Sequence, residues 1–380
     1  MRIAHVCPNY GIVRGGVERV IDQVAPELAR RGHDVVVLSG GKETATDRHG
    51  VLHLSSPPLL APMGFGFNLK MMRTLASLEP DIIHVHMNAP IALELASVVS
   101  LFKRKPVVAS YNADPVASDI APVRGLSDLL ESAYSTMIRI ECSHFSRIFV
   151  LTPLYPALSK VLKHVSRRKI LVAPPGCDHI LPHVVPRSTA RRVLGLAGHE
   201  KVIIFVGRLV KYKGVGMLMH SVAILKRRQP KTTYKLLIVG DGREFDALQK
   251  LASLLRIEQE TTFITGVSSD SVASYLCAAD VFVLPSVSRS EGFGIVLLEA
   301  LACGVPCVAT TMSAGPFLFA DRQGGIVVAP RHPEDIADAI LEILSSDSDL
   351  WRHDACEKAK AFTWSRTVDI IEQGYKDAVA

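Results

Sequence analysis

From Val281 to Thr310 the chain reads as strand, loop, helix and strand in quick succession, an order that points to a parallel sheet. Val281-Phe282-Val283-Leu284 is a short apolar run that stops at Pro285. A turn carrying Ser and Arg leads into Glu291-Gly292-Phe293-Gly294. Ile295 to Ala302 then reads as a helix, ended by Gly304 and Pro306. Pro306 to Thr310 is strand-like again. Parallel strands need such a crossover, and their ligands gather where loops leave the carboxyl ends of strands.

The loop carries two carboxylates of interest. Glu291 stands at the helix mouth, and Glu299 lies roughly 12 Å further along the axis if most of the interval is helical. Paired carboxyls in glycosidases sit about 5–9.5 Å apart, so these two do not serve one bond as acid and base. The interval suits an elongated ligand, with hexose hydroxyls at one end, ribose hydroxyls at the other and a diphosphate between. The N–H groups of the helix start would face that diphosphate, with two glycines permitting close approach. The bland alternative is a Glu favoured by the helix dipole plus a solvated mid-helix Glu.

The 380 residues, 48% of them hydrophobic, suffice for two domains with separate cores. No apolar run reaches the length of a membrane span, and Met1 to Val6 reads as a first strand rather than a signal peptide. Seven scattered cysteines, with no second pair to complete a zinc site around Cys303 and Cys307, point to a reducing cytosol. A net charge of +6 favours anionic ligands or anionic membrane surfaces, but is too small to argue for nucleic acid.

Arg2 to Cys7 is the first strand, Pro8 to Gly16 a loop, and Val17, Val20, Ile21, Val24 and Leu28 then recur at helical spacing. Gly15-Gly16 is either a tight turn or backbone approaching a substrate. GIVRGG is not G-x-G-x-x-G, which argues against a dinucleotide site. In the strand Ile82 to His86, alternation places His84 and His86 on one face. His86, at the carboxyl end, is the site candidate of the two. Val107 to Ser110 empties into Tyr111-Asn112-Ala113-Asp114. The basic segment Ser159 to Lys169 reads as a solvated helix face, and the Pro-rich tract to Pro186 as a hinge.

The second half repeats this syntax. Lys201 to Val206 is a strand, Gly207 to Gly214 a basic loop, and Lys235 to Val239 a strand closed by Gly240-Asp241-Gly242. Arg208 and Lys213 lie where a loop leaves a strand for a helix N-terminus, a good place to meet phosphate. The implied fold class is α/β, with two doubly wound, Rossmann-like domains facing a cleft.

With these pieces placed, the sequence resembles the retaining glycosyltransferases of GT-B fold, family four. The resemblance rests on Gly207-Arg208-Leu209 with Lys213-Gly214, on Gly240-Asp241-Gly242, on Glu291-Gly292-Phe293-Gly294 with Glu299, and on Ala302-Cys303-Gly304-Val305-Pro306. Gly15-Gly16-Val17-Glu18 is also similar. It implies that Arg208 and Lys213 hold a donor diphosphate, Glu299 the ribose and Glu291 the transferred sugar. Gly15, Gly16, Gly207, Asp241, Gly292, Phe293 and Gly294 join the donor site, with Gly16 against the donor phosphate across the cleft. His86, Asn112 and Asp114 are candidate sugar or acceptor contacts. Asn112 departs from the pattern, since many members place there a histidine that touches the transferred sugar. Asparagine cannot take a proton at neutral pH, which argues against a base at that position.

The expected division is residues 1–172 and 173–361, with the helix at 362–380 packing back on the first domain. The implied activity is transfer of a hexose from a nucleoside-diphosphate sugar to an acceptor hydroxyl in the cytoplasm, with no metal and no other cofactor. Two rivals stay open: a sugar-nucleotide epimerase and a sugar-nucleotide-binding subunit without catalysis. The acceptor is expected to be a glycan or a lipid-linked group. The apolar loop Leu59 to Phe67, with Lys103 to Lys105 and Lys160 to Lys169, would suit docking on an anionic membrane, or else simply packs on its own domain.

Overall fold

The computed structural model describes residues 1–7, 10, 15–39, 45–55, 69–87, 104–114 and 126–380. The apolar loop Leu59 to Phe67, Lys103 and most of the loop Pro8 to Arg14 lie outside them. The chain forms two compact units, Met1–Pro175 with Trp364–Ala380, and Gly176–Thr363. The divide falls after Pro175 rather than after residue 172. The Ala173 N–H still bonds Val150 O at 2.8 Å, so the ladder of the last strand runs on into the proline pair.

Among the described residues unit 1 holds eight strands: β1 (Arg2–Cys7), β2 (Asp34–Ser39), β3 (Ala45–Thr46), β4 (Leu52–Ser55), β5 (Ile82–Met87), β6 (Val107–Tyr111), β7 (Arg147–Val150) and β8 (Ile170–Val172). Their order is β3-β4-β2-β1-β5-β6-β7-β8, parallel throughout except for the antiparallel β3–β4 pair. That hairpin was not legible in the sequence. Its strands are short, and its turn rests on the Asp47 side chain, which accepts the His49 and Val51 N–H groups at 2.8 and 3.0 Å. Helix Gly16–Arg30 buries Val20, Ile21, Val24, Ala25 and Leu28, close to the expected stripe.

Every residue of β5 is buried, because helices cover both faces of a central parallel strand. The face carrying His84 and His86 is filled by imidazoles. His5 Nδ1 meets His86 Nε2 at 3.0 Å, and the His84 and His86 rings stack at 4.5 Å and 17°. His84 Nε2 meets Ser110 Oγ at 2.8 Å. Its Nδ1 meets the Tyr375 hydroxyl at 2.5 Å, from helix Trp364–Val379. Arg31 fastens the same helix by bonding Asp369 and Glu372 at 2.7 and 3.0 Å.

Burial lowers the pKa of His5 from 6.5 to about 3 and holds His84 and His86 well below the usual value. All three are therefore neutral in the folded chain, while the unfolded chain protonates them below about pH 6.5. Their contribution to stability is complete above that pH. It declines as pH falls below about 6.5, by up to about 1.4 kcal/mol per pH unit for each histidine. Urea midpoints should be level from pH 8 to about 7 and decline steadily below about 6. Midpoints that hold between pH 7 and 5 would mean the trio is hydrated.

Unit 2 holds a parallel six-stranded sheet: β9 (Lys201–Val206), β10 (Tyr234–Val239), β11 (Thr261–Ile264), β12 (Val281–Leu284), β13 (Cys307–Thr310) and β14 (Gly325–Val328). The order β11-β10-β9-β12-β13-β14 reverses between β9 and β12. Loops leaving a sheet on either side of such a reversal part and open a crevice. No helix among the described residues is long and apolar enough to cross a membrane.

Candidate active site

The two loops flanking the reversal carry the candidate residues of unit 2. After β9 the backbone passes through Gly207, Arg208 and Leu209 with Gly240 and Gly242 against it. A Cβ on Gly240 would stand 2.0 Å from Gly207 O, and one on Gly242 2.3 Å from Leu209 O, so only glycine fits at either place. Leu209 N–H bonds Asp241 O at 2.8 Å. The Asp241 carboxylate accepts the Gly266 N–H at 3.0 Å and thereby ties the loop after β11 to the one after β10.

A 3-10 turn, Lys211–Lys213, then ends in Gly214, at φ +68°. A Cβ there would meet Pro285 O at 2.1 Å, so the helix Val215–Arg228 can start flush against the end of β12 only with glycine at its mouth. The Val287 N–H bonds Tyr212 O at 2.8 Å and locks the two loops together. This close approach brings Lys213 Nζ within 2.7 Å of Glu291 Oε2. Both groups are buried, at 9% and 6% exposure. The Ser286 hydroxyl donates to the same oxygen at 2.8 Å, and the Thr310 hydroxyl holds Ser286 O at 2.6 Å. The pair is therefore a fixed ion pair on the carboxyl edge of the sheet, supported from β12 and β13. Arg208 is exposed, and its guanidinium donates to the Tyr212 hydroxyl at 3.0 Å.

Glu291 to Gly294 is not helical. Gly294 caps helix Ile295–Ala302 at φ +81°, so only the stretch from Ile295 to Glu299 rises along an axis, by about 6 Å. The expected spacing of roughly 12 Å along one axis is corrected accordingly, because the left-handed glycine turns the chain before the helix begins. Phe293 is buried as a core anchor, and Gly292 is half-buried. Glu299 is no solvated mid-helix residue. At 5% exposure it meets His179 Nε2 at 3.0 Å, from the 3-10 turn Asp178–His183. His179, Ser286 and Thr310 were not singled out in the sequence. His179 reaches Glu299 across 120 positions, while Ser286 bonds Glu291 within one loop and Thr310 holds the Ser286 carbonyl.

Gly15 and Gly16 open helix Gly16–Arg30 and are exposed. His86, expected to face a ligand, is instead a core residue at 1% exposure, because its ring packs between His5 and His84. Asn112 is buried beside Ser110 after β6. The Asp114 carboxylate accepts the Tyr111 hydroxyl at 2.7 Å, the Ser159 hydroxyl at 2.5 Å and the Lys160 N–H at 3.0 Å, which makes it a structural anchor. The basic segment is not one helix face but two 3-10 turns, Leu162–His164 and Arg167–Lys169.

Among the described residues, His5, His84 and His86 are the group whose ligand-type atoms come within 4.8 Å of one another. His5 Nδ1 and His86 Nε2 are engaged with one another at 3.0 Å, and the His5 and His84 rings are tilted by 36°. His84 also meets a hydroxyl at each nitrogen. The geometry is that of packed imidazoles and not of a metal centre.

Residues 14–180 match the family model Glycosyltransferase Family 4, and residues 186–362 match Glycosyl transferases group 1. The D-inositol 3-phosphate glycosyltransferase of Mycolicibacterium vanbaalenii is 28% identical over 96% of this chain and 86% of its own. Among solved structures, the sucrose-phosphate synthase of Thermosynechococcus elongatus superposes with a TM-score of 0.80 at 20% identity, covering 99% of this chain and 98% of that one. Anabaena HepE, solved in complex with UDP-glucose, superposes at 0.78 and 18% identity over 98% of each chain. Two family models that together run from residue 14 to residue 362, on two doubly wound units, place this chain in the family four, group 1 glycosyltransferases of GT-B fold.

Proposed function

We propose that this glycosyltransferase moves a hexose from a nucleoside-diphosphate sugar to an acceptor hydroxyl with retention of anomeric configuration and without a metal ion. The observation that carries the reading is the fixed Lys213–Glu291 pair beside the exposed Arg208, at the point where the sheet order of unit 2 reverses. An ammonium has three donors. One serves Glu291, which leaves two for the oxygens of a departing diphosphate, next to the guanidinium of Arg208. Fixed cations of this kind stabilise charge that grows as the sugar becomes oxocarbenium-like. Glu291 Oε2 takes Lys213 and Ser286, so Oε1 is the atom offered to sugar hydroxyls. With Asn112 unable to act as a base, the leaving diphosphate accepts the acceptor's proton on the same face.

Incubation with UDP-, GDP- and ADP-sugars in EDTA tests this reading. Release of nucleoside diphosphate, with a product whose anomeric proton keeps the donor's configuration, is expected. Release that needs added magnesium or manganese would remove the metal-free mechanism, and an epimerised nucleotide sugar would replace transfer with epimerisation. A glycan or lipid-linked acceptor fits the exposed basic residues Lys160, Lys163, Arg167 and Arg168, which suit contact with an anionic membrane surface.

Glu299 is assigned the ribose, and a hydrogen bond to a charged group is worth about 1.5–3 kcal/mol. Glu299→Ala should therefore raise the donor Kd about 10- to 100-fold with little change in turnover, because the contact is the same in ground and transition states. A fall in kcat at unchanged Kd would place Glu299 elsewhere.

A further inference from the structure

Glu299 is held by a neighbour from outside its own helix. An ionised carboxylate only accepts hydrogen bonds, so in the 3.0 Å contact with Glu299 Oε1 it is His179 that donates, from Nε2. Both side chains are more than nine-tenths buried, where a charge-assisted bond is strong and its loss costly. A carboxylate offers about four acceptor positions, so one imidazole fixes its plane without by itself exhausting the group.

The donor is itself fixed. The 3-10 turn Asp178–His183 starts at Cys177, whose N–H bonds Phe362 O at 3.0 Å. The Cys177 Sγ lies 3.4 Å from the same oxygen and 3.6 Å from Ala359 O. The Ile180 N–H returns to Cys177 O at 3.1 Å, and the Ile180 side chain is buried. The turn is thus fastened to the end of helix Ser348–Ala359 and packs against helix Ile295–Ala302. That second helix buries Leu297, Leu298, Ala300 and Leu301 around Glu299. Neither partner of the His179–Glu299 bond can shift without disturbing a packed element.

We infer that His179 is a positioning residue that makes Glu299 selective for a ribose over a 2′-deoxyribose. The inference rests on the assignment of the ribose to Glu299. Two vicinal hydroxyls that share one carboxylate must both find lone pairs in line with their O–H bonds, which requires the carboxylate plane to be set before binding. A carboxylate released from His179 can still turn toward a single hydroxyl, so it should lose its preference for the pair.

The test reads binding. UDP, GDP and ADP are titrated into full-length protein, and the tightest binder is compared with its 2′-deoxy counterpart. The unaltered protein should favour the ribonucleotide by about tenfold or more. In His179→Ala that ratio should fall to about threefold or less, with the loss on the ribonucleotide side. His179→Gln, which keeps an N–H donor, should restore most of it. A histidine that merely supports the fold would weaken both ligands alike and leave the ratio where it was. If His179→Ala does not fold, His179→Leu, which keeps bulk without the donor, is read in its place. A ribose preference lost in Glu299→Ala but unchanged in the His179 variants overturns the inference alone. No preference in the unaltered protein, or one that Glu299→Ala keeps, takes the ribose away from Glu299 and the inference with it. Binding of none of the three diphosphates would overturn it by removing the donor reading.

Discussion

Lys213→Ala is expected to lower turnover at saturating donor by about 10²–10³-fold, the range seen when one preorganised donor to a developing oxyanion is removed. The loss should fall on kcat more than on donor Kd, because the charge that Lys213 meets grows as the diphosphate departs. A stability effect should accompany it. Glu291 is 6% exposed and would lose its cation, and breaking a buried pair from one side costs about 3–5 kcal/mol. The two effects separate in the double variant Lys213→Met with Glu291→Gln. That protein should regain much of the melting temperature while turnover stays low. An unchanged kcat in Lys213→Ala, measured on folded protein, would remove the diphosphate role.

Ending the chain at Thr363 should unfold unit 1 and leave unit 2 largely intact. Helix Trp364–Val379 buries Trp364, Val368, Ile371 and Tyr375 in unit 1. Each fully buried large side chain contributes about 1.5–3 kcal/mol, so the four together reach the scale of a domain's whole stability, about 5–15 kcal/mol. Truncation also strips the hydroxyl from His84 Nδ1 and two carboxylates from Arg31. Limited proteolysis should cut rapidly within residues 1–175 and spare a fragment near 176–363. Equal protection of both halves would show that the helix is dispensable.

Much of the architecture was legible from short runs. β12 is a continuous apolar run, β9 is one after its first lysine, and β1 and β5 are apolar runs interrupted by histidines, a signal confined to a few neighbouring residues. The loop Gly207 to Gly214 was equally visible, since both bounding glycines take positive φ and Gly214 lies against the Pro285 carbonyl, where no other residue fits. The β3–β4 hairpin was not visible, because two residues in β3 are too few to show a period. His86 was misread because alternation says which face a side chain takes, and not whether that face is open.

The sequence by itself determined the central strands of both sheets, several positions where glycine must stand, and that two doubly wound units make up the chain. Only the tertiary structure decided which charges meet. Lys213 finds Glu291 because β9 lies beside β12, though β10 and β11 come between them in the chain. His179 finds Glu299 across 120 positions, and His84 finds Tyr375 across 291. Local propensity acts over a turn or a few strand residues. Strand order and the docking of a last helix are settled by burying two faces of a sheet at once, and that is a property of the whole chain.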